Sequence, residues 1–306
     1  MFGCSSAVKG HFLALFANVI WGSTFISTKV LLDDFSPAAV MFIRFVMAYI
    51  FMCMIFPKAL SFSGFRNEAM MLVAGFCGVT AYYQLENVAL TYTYASNVGV
   101  IFATIPFFVG VQAHFIFKGE EKLSKYFLGG FAVAMTGILL ITFSGATFLG
   151  LRPQGDLIAI LGCIIWSFYA IIVKRITIPG AKTIMVTRRI FFYAIMMMIP
   201  CMYLWGGDVN LNQFLEPKNC LNFVYLSLFA SVLCYLSWNT ALKHIGAMAT
   251  SAYIYVGPVV TVVLSVIILD EQLTCWSFMG MALTMAGLIL SEWLNVRKLL
   301  IKATEN

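Results

Sequence analysis

Charge is scarce in this chain. Asp, Glu, Lys and Arg make up 10% of its 306 residues, where soluble domains carry about 25%. Long polar connections are also few: only 57–67, 144–154 and 205–220 exceed a few residues between apolar runs. That leaves no room for a sizeable soluble domain. Histidine is limited to His11, His114 and His244, far apart along the chain, and the 8 cysteines are scattered singly. Without a Cys-x-x-Cys pair or a Cys/His spacing, neither a metal site nor a disulfide framework is expected. Most of the cysteines lie in apolar runs, where a free thiol behaves as a small hydrophobe. Phosphate loops, paired catalytic carboxylates and nucleophile–base constellations are missing, so no catalytic residue, cofactor or ATP coupling is expected. The net charge of +6 falls in short clusters and not along a continuous basic face, which argues against nucleic acid as a partner.

Apolar residues fill the gap. They make up 61% of the chain, and mean hydropathy is +0.92. Hydrophobic segments fall near 11–32, 37–56, 69–90, 95–117, 124–143, 155–175, 182–204, 221–242, 247–269 and 275–296. Each has the roughly 17–25 residues a spanning helix needs. The expected fold is therefore an all-α membrane protein of ten transmembrane helices, with the lipid bilayer as its surroundings. The first run lacks the short apolar region and small-residue site of a cleaved leader, so it is expected to stay as a helix. Placing the N-terminus in the cytoplasm puts 13 of the 19 Lys and Arg residues on the inner side, including Lys118, Lys122, Lys125, Lys174 and Arg175. Such a bias orients the chain with both termini cytoplasmic, and 293–306 reads as a cytoplasmic tail.

The segments form two copies of one unit. Trp21, Lys29 and Arg44 recur as Trp166, Lys174 and Arg189, an offset of 145, with Pro37 and Pro179 in the intervening turns. At an offset of 152, Asn87-Val-Ala-Leu90 answers to Asn239-Thr-Ala-Leu242 and Pro106 to Pro258. At 150, Gly130, Ala132, Met135 and Gly137 answer to Gly280, Ala282, Met285 and Gly287. The units read as 10–143 and 155–292. An odd number of helices per unit forces the second copy to enter the membrane upside down. Inverted repeats with a site between them are a recurrent plan of secondary transporters.

The order W-G-S-T-F…K…P…R, the N-V-A-L segment with the mid-helix proline that follows, and the E-x-L start of the fifth helix (Glu121, Leu123; Glu271, Leu273) resemble the EamA-like drug/metabolite transporter superfamily. The resemblance spans both units. It implies ten helices around a central cavity, alternating access, and transport, often export, of small metabolites such as amino acids or toxic analogues. The second copy departs at Phe168-Tyr169, where the first has Ser23-Thr24, and at Thr177-Ile178, where the first has Asp33-Asp34.

Several residues stand out. Trp21 and Trp166 lie mid-helix, away from the interfacial belt that membrane tryptophans favour, so each either lines a cavity or packs between helices. The third segment gathers Tyr82, Tyr83, Gln84, Glu86 and Asn87. A carboxylate inside hydrocarbon is costly and signals function by default. Glu86 is a candidate for binding a substrate amine or taking up a proton, the alternatives being the outer interface or pairing with Arg44. Asn87 and Asn239 can bond backbone at a helix crossing; Asn239 is also kept as a substrate candidate, as are Asn97, Trp238 and Tyr253. Arg44 and Arg189, present in both copies, read as structural ties to carbonyl ends of neighbouring helices. Together these point to an apolar, aromatic cavity with a few amides and one acid, suited to a small amphipathic molecule. The expected function is export across the inner membrane by alternating access, not catalysis. An enzyme acting on lipid-linked substrates would show clustered ligands at one interface, and a passive channel would show a continuous polar lining.

Overall fold

The computed structural model describes residues 2–92, 101–117, 123–144, 153–205, 209–269, 275–291 and 293. Among them the chain is all helical, with no strand. The elements are α1 (Phe2–Leu32), α2 (Pro37–Ile55), α3 (Phe65–Gly75), α4 (Ala81–Tyr92), α5 (Ile105–Ile116), α6 (Lys125–Ser144), α7 (Pro153–Arg175), α8 (Thr183–Trp205), α9 (Leu211–Leu215), α10 (Pro217–Val224), α11 (Cys234–Ala252), α12 (Val256–Leu269) and α13 (Cys275–Ser291). Among the described residues, four stretches are long and apolar enough to cross a membrane: Pro37–Ile55, Pro153–Arg175, Thr183–Leu204 and Pro217–Val260.

Local chemistry sets the boundaries. Ser36 caps α2, its hydroxyl accepting from the Ala39 amide at 3.1 Å, and Pro37 occupies the first helical position, where its missing N–H costs nothing. Gly246 takes φ +85° and breaks α11, a conformation that glycine adopts without steric penalty. Pro106 was expected to kink a helix from within. It instead opens α5 after a turn at Ala103–Thr104, because a proline ring clashes with the carbonyl four residues back.

Two wide π-helical turns interrupt otherwise straight rods: Phe76–Thr80 joins α3 to α4, and Tyr225–Leu233 joins α10 to α11. They lie at equivalent places in the two copies, since Gly78 and Ala230 are 152 residues apart. Packing is chiefly between copies. α1 lies against α11, α4 against α7, and α2 and α3 against α8. One core runs through this interface, built on Phe45, Trp166, Tyr169, Phe191, Tyr235 and Trp238. The closest helix pair is α6 with α13, where Gly137 lets the Gly280 carbonyl approach and Gly287 faces the Ala134 backbone.

Candidate functional site

Three tryptophans from three helices meet at the interface between the copies. Ring centroids are 6.5 Å apart for Trp21 and Trp166, 5.3 Å for Trp21 and Trp238, and 5.1 Å for Trp166 and Trp238. Tyr82 continues the cluster against Trp166 at 6.2 Å, with Tyr83 beside it at 5.0 Å. Tyr235 sits against Trp21 at 5.6 Å and Tyr169 at 5.8 Å. Most of these rings are tilted or edge-on, the arrangement that aromatic quadrupoles favour. Trp238 and Tyr169 are fully buried.

The π turns explain how the cluster is held. Their wider winding frees main-chain carbonyls, and aromatic donors from the opposite copy take them. The Trp21 indole N–H donates to Ala230 O at 2.9 Å, and the Tyr235 hydroxyl donates to Gly78 O at 2.9 Å. A second tie joins three helices: the Tyr169 hydroxyl donates to Asn239 Oδ1 at 2.7 Å, and Asn239 Nδ2 donates to Thr187 Oγ1 at 3.0 Å.

Arg44 lies against the rings of Tyr83 and Phe45. Arg44 is 5% exposed. Its Nε donates to Ser231 Oγ at 2.7 Å, and its Cζ lies 5.1 Å from the Tyr83 ring centroid and 5.3 Å from that of Phe45. Guanidinium over an aromatic face is a favourable cation–π geometry. Arg44 Nη2 has no partner, and neither does the buried Nε1 of Trp238. Glu86 lies one helical turn beyond Tyr82 on α4.

Other residues singled out in the sequence lie elsewhere. Arg189 does not share the role of Arg44. Its Nη2 donates to Leu60 O and its Nε is 3.8 Å from Glu68 Oε2. The neighbouring Arg188 donates to Phe56 O and Lys58 O at 2.6 Å each, so the pair binds the α2–α3 connection to α8. Tyr253 is away from the tryptophans, with its hydroxyl 3.0 Å from His11 Nδ1, and it packs near Ala103 and Ala134 in a separate cluster. Gln84 is half-buried on α4, two residues from both Tyr82 and Glu86 and therefore on the far side of the helix. Asn97 lies outside the described residues, and so does the side chain of Asn87.

Sequence reasoning missed Tyr169, Ser231 and Tyr235. Tyr235 was recoverable, since it stands 152 residues after Tyr83, the offset that relates Asn87 to Asn239. Ser231 had no signal, because its role depends on the winding of the turn that carries it.

A helical protein with a packed aromatic cluster and a buried, half-satisfied arginine between two copies of one unit has the features of a membrane transporter. The EamA-like transporter family matches the chain twice, over 8–143 and 153–293, and the chain belongs to that family. Among its relatives, an uncharacterized transporter of Archaeoglobus fulgidus is 27% identical over 92% of this chain and 97% of its own length. The uncharacterized inner membrane transporter YedA of Escherichia coli K12 is 24% identical over 91% and 89%. A probable amino-acid metabolite efflux pump of Salmonella typhimurium is 23% identical over 92% and 94%. One crystal structure shares the fold at TM-score 0.79 and 17% identity, covering 95% of this chain and 98% of its own.

Proposed function

We propose that this chain is a secondary transporter of the cell inner membrane that exports small organic metabolites, amino acids or related amphipathic compounds, by alternating access. The observation that carries the reading is the convergence of Trp21, Trp166 and Trp238 from both copies, with Arg44 Nη2 and Trp238 Nε1 unpartnered beside them. Buried donors without partners are costly, and a chamber that keeps them is suited to a polar group brought in by a ligand. The rings supply the apolar remainder. The amino-acid metabolite efflux pump among the relatives favours this substrate class, and the inner membrane relative favours this location. In this reading ten helices form two inverted units with both termini cytoplasmic, and one unit rocks against the other around the tryptophans. Glu86 takes up the proton that drives exchange. Purified protein in liposomes, loaded with a panel of labelled amino acids and related metabolites, tests the proposal. Saturable efflux of at least one class is expected; a folded protein that moves no member refutes it.

A further inference from the structure

A recess lies away from the tryptophans, where α8 meets the connection between α2 and α3. Its volume is about 140 Å³, and its walls include Tyr49, Phe192, Ala59, Leu60, Arg188 and Arg189. Pockets for a whole small molecule run to roughly 300–1,000 Å³, so this one admits a single polar group. Arg188 is 6% exposed, and a guanidinium buried to that extent needs compensation. Its bonds to Phe56 O and Lys58 O use two N–H groups of the five that a guanidinium has. Arg189, half-buried beside it, brings a second charge. Their acidic neighbour is Glu68, 3.8 Å from Arg189 Nε, and its oxygens already accept from Ser63 and from the Tyr193 hydroxyl. Two exposed lysines add to the excess. Lys58 precedes the lining Ala59, and Lys182 Nζ lies 4.8 Å from the ring centroid of Phe56, whose carbonyl holds Arg188.

The remaining wall is apolar. Tyr49 on α2 and Phe192 on α8 stand with ring centroids 6.3 Å apart. Along these two helices Ile50, Met54, Met196 and Ile199 are exposed, as side chains that face lipid are. Excess positive charge at one end and an apolar surface at the other match the two ends of a phospholipid, and basic pockets between membrane helices recognise anionic head groups. In the orientation proposed above, the connections carrying Lys58 and Lys182 face the cytoplasm, where the leaflet is anionic. We propose that this recess holds the head group of an anionic phospholipid, with its phosphate against Arg188 and Arg189 and its acyl chains along α2 and α8. A planar guanidinium matches phosphate oxygens in pairs. The bound lipid joins the α2–α3 connection of the first copy to α8 of the second, and its binding does not depend on which solute the chain moves.

The test starts from full-length protein stripped of lipid in a neutral detergent. It is offered phosphatidylglycerol, phosphatidylcholine with the same acyl chains, or inorganic phosphate. Native mass spectrometry counts the lipids retained, and thermal unfolding reads the stabilisation. One phosphatidylglycerol is expected to be held about 5- to 30-fold more tightly than phosphatidylcholine, whose choline ammonium meets Lys58 and Lys182; each basic residue contributes roughly fivefold. Arg189→Gln should weaken phosphatidylglycerol by about 10-fold, the loss of one charge-assisted hydrogen bond. Ala59→Trp, at an exposed position, fills the recess while keeping both arginines, and should abolish retention. Equal retention of the two lipids, or undiminished retention by Ala59→Trp, overturns the proposal. An unfolding midpoint raised as far by inorganic phosphate as by phosphatidylglycerol also overturns it, in favour of a site for free anions. If Arg189→Gln does not fold, Ala59→Trp and the lipid preference decide.

Discussion

Asn239 was a candidate for touching substrate, but its bonds point to a scaffold role that can be measured. The residue is 1% exposed, and Tyr169 and Thr187, its partners on α7 and α8, are fully buried. Asn239→Ala breaks both hydrogen bonds, with unequal consequences. The Thr187 hydroxyl can turn to a carbonyl of its own preceding turn, as threonines in helices do. The Tyr169 hydroxyl stands at the end of a rigid ring and has no such recourse. Leaving a buried hydroxyl unpaired costs about 1–3 kcal/mol, so Asn239→Ala should destabilise by about 2–3 kcal/mol once the lost amide packing is added. Tyr169→Phe removes the donor and leaves only an acceptor exposed to its surroundings, for about 1 kcal/mol. In the double variant the orphaned hydroxyl no longer exists. The two effects should therefore couple by about 0.6–1.7 kcal/mol, from the average to the largest value found for polar pairs between membrane helices. A double-mutant cycle on unfolding in mixed micelles reads this coupling directly, and transport by the same variants supplies the control. Coupling within error of zero, or an Asn239→Ala protein of normal stability that needs far more substrate for half-saturation, would refute the scaffold role.

Further predictions follow from other contacts. Glu86→Gln should abolish acceleration of transport by a pH gradient while sparing counterflow exchange; an unchanged response to pH in liposomes rules out coupling through this residue. Gly287→Ala places a Cβ 2.5 Å from the Ala134 amide nitrogen, so α6 and α13 must separate. A cost of about 1–3 kcal/mol is expected from overpacking, seen as a lowered midpoint of unfolding, and an unshifted midpoint contradicts it. Arg189→Ala releases Leu60 O and removes the ion pair with Glu68, which keeps its bond from the Tyr193 hydroxyl. Limited proteolysis should then cut faster at Lys58 and Arg66, both exposed; an unaltered cleavage rate shows that Arg188 and the Tyr193–Glu68 hydrogen bond hold the connection without Arg189.

The repeat was legible because it is written in residue identity. Trp21 and Trp166 could be matched by counting, and the structure sets them 6.5 Å apart across the interface. The wide turns were not legible. Phe76–Thr80 and Tyr225–Leu233 read as ordinary apolar helix, since a π turn is maintained by what captures its freed carbonyl, and the captors Tyr235 and Trp21 are distant in sequence. The partner of Tyr253 was not legible for a related reason: its hydroxyl lies 3.0 Å from Nδ1 of His11, 242 residues away in sequence. Arg44 and Arg189 looked equivalent because both were kept, yet counting cannot tell which partners a kept residue meets.

The pattern of likeness and difference bears on how such a protein distinguishes the ends of its substrate. The reciprocal ties, Tyr235 to Gly78 and Trp21 to Ala230, run from each copy to the same place in the other. Only the acceptor carbonyls of Gly78 and Ala230 are matched between the copies, and matched groups by themselves cannot orient an unsymmetrical molecule. Orientation needs groups without a counterpart. Glu86 is one, since the equivalent position of the second copy holds Trp238. Arg44 is another, since Arg189 spends its donors on Leu60 and Glu68 while Arg44 keeps one nitrogen unpartnered. Both unmatched groups belong to the first copy, Arg44 against the Tyr83 ring and Glu86 one helical turn beyond Tyr82. The second copy contributes two of the three tryptophans and the serine that aims the arginine. A division of that kind, with charge from one copy and contact surface from the other, lets two units of common design bind a molecule that has two different ends.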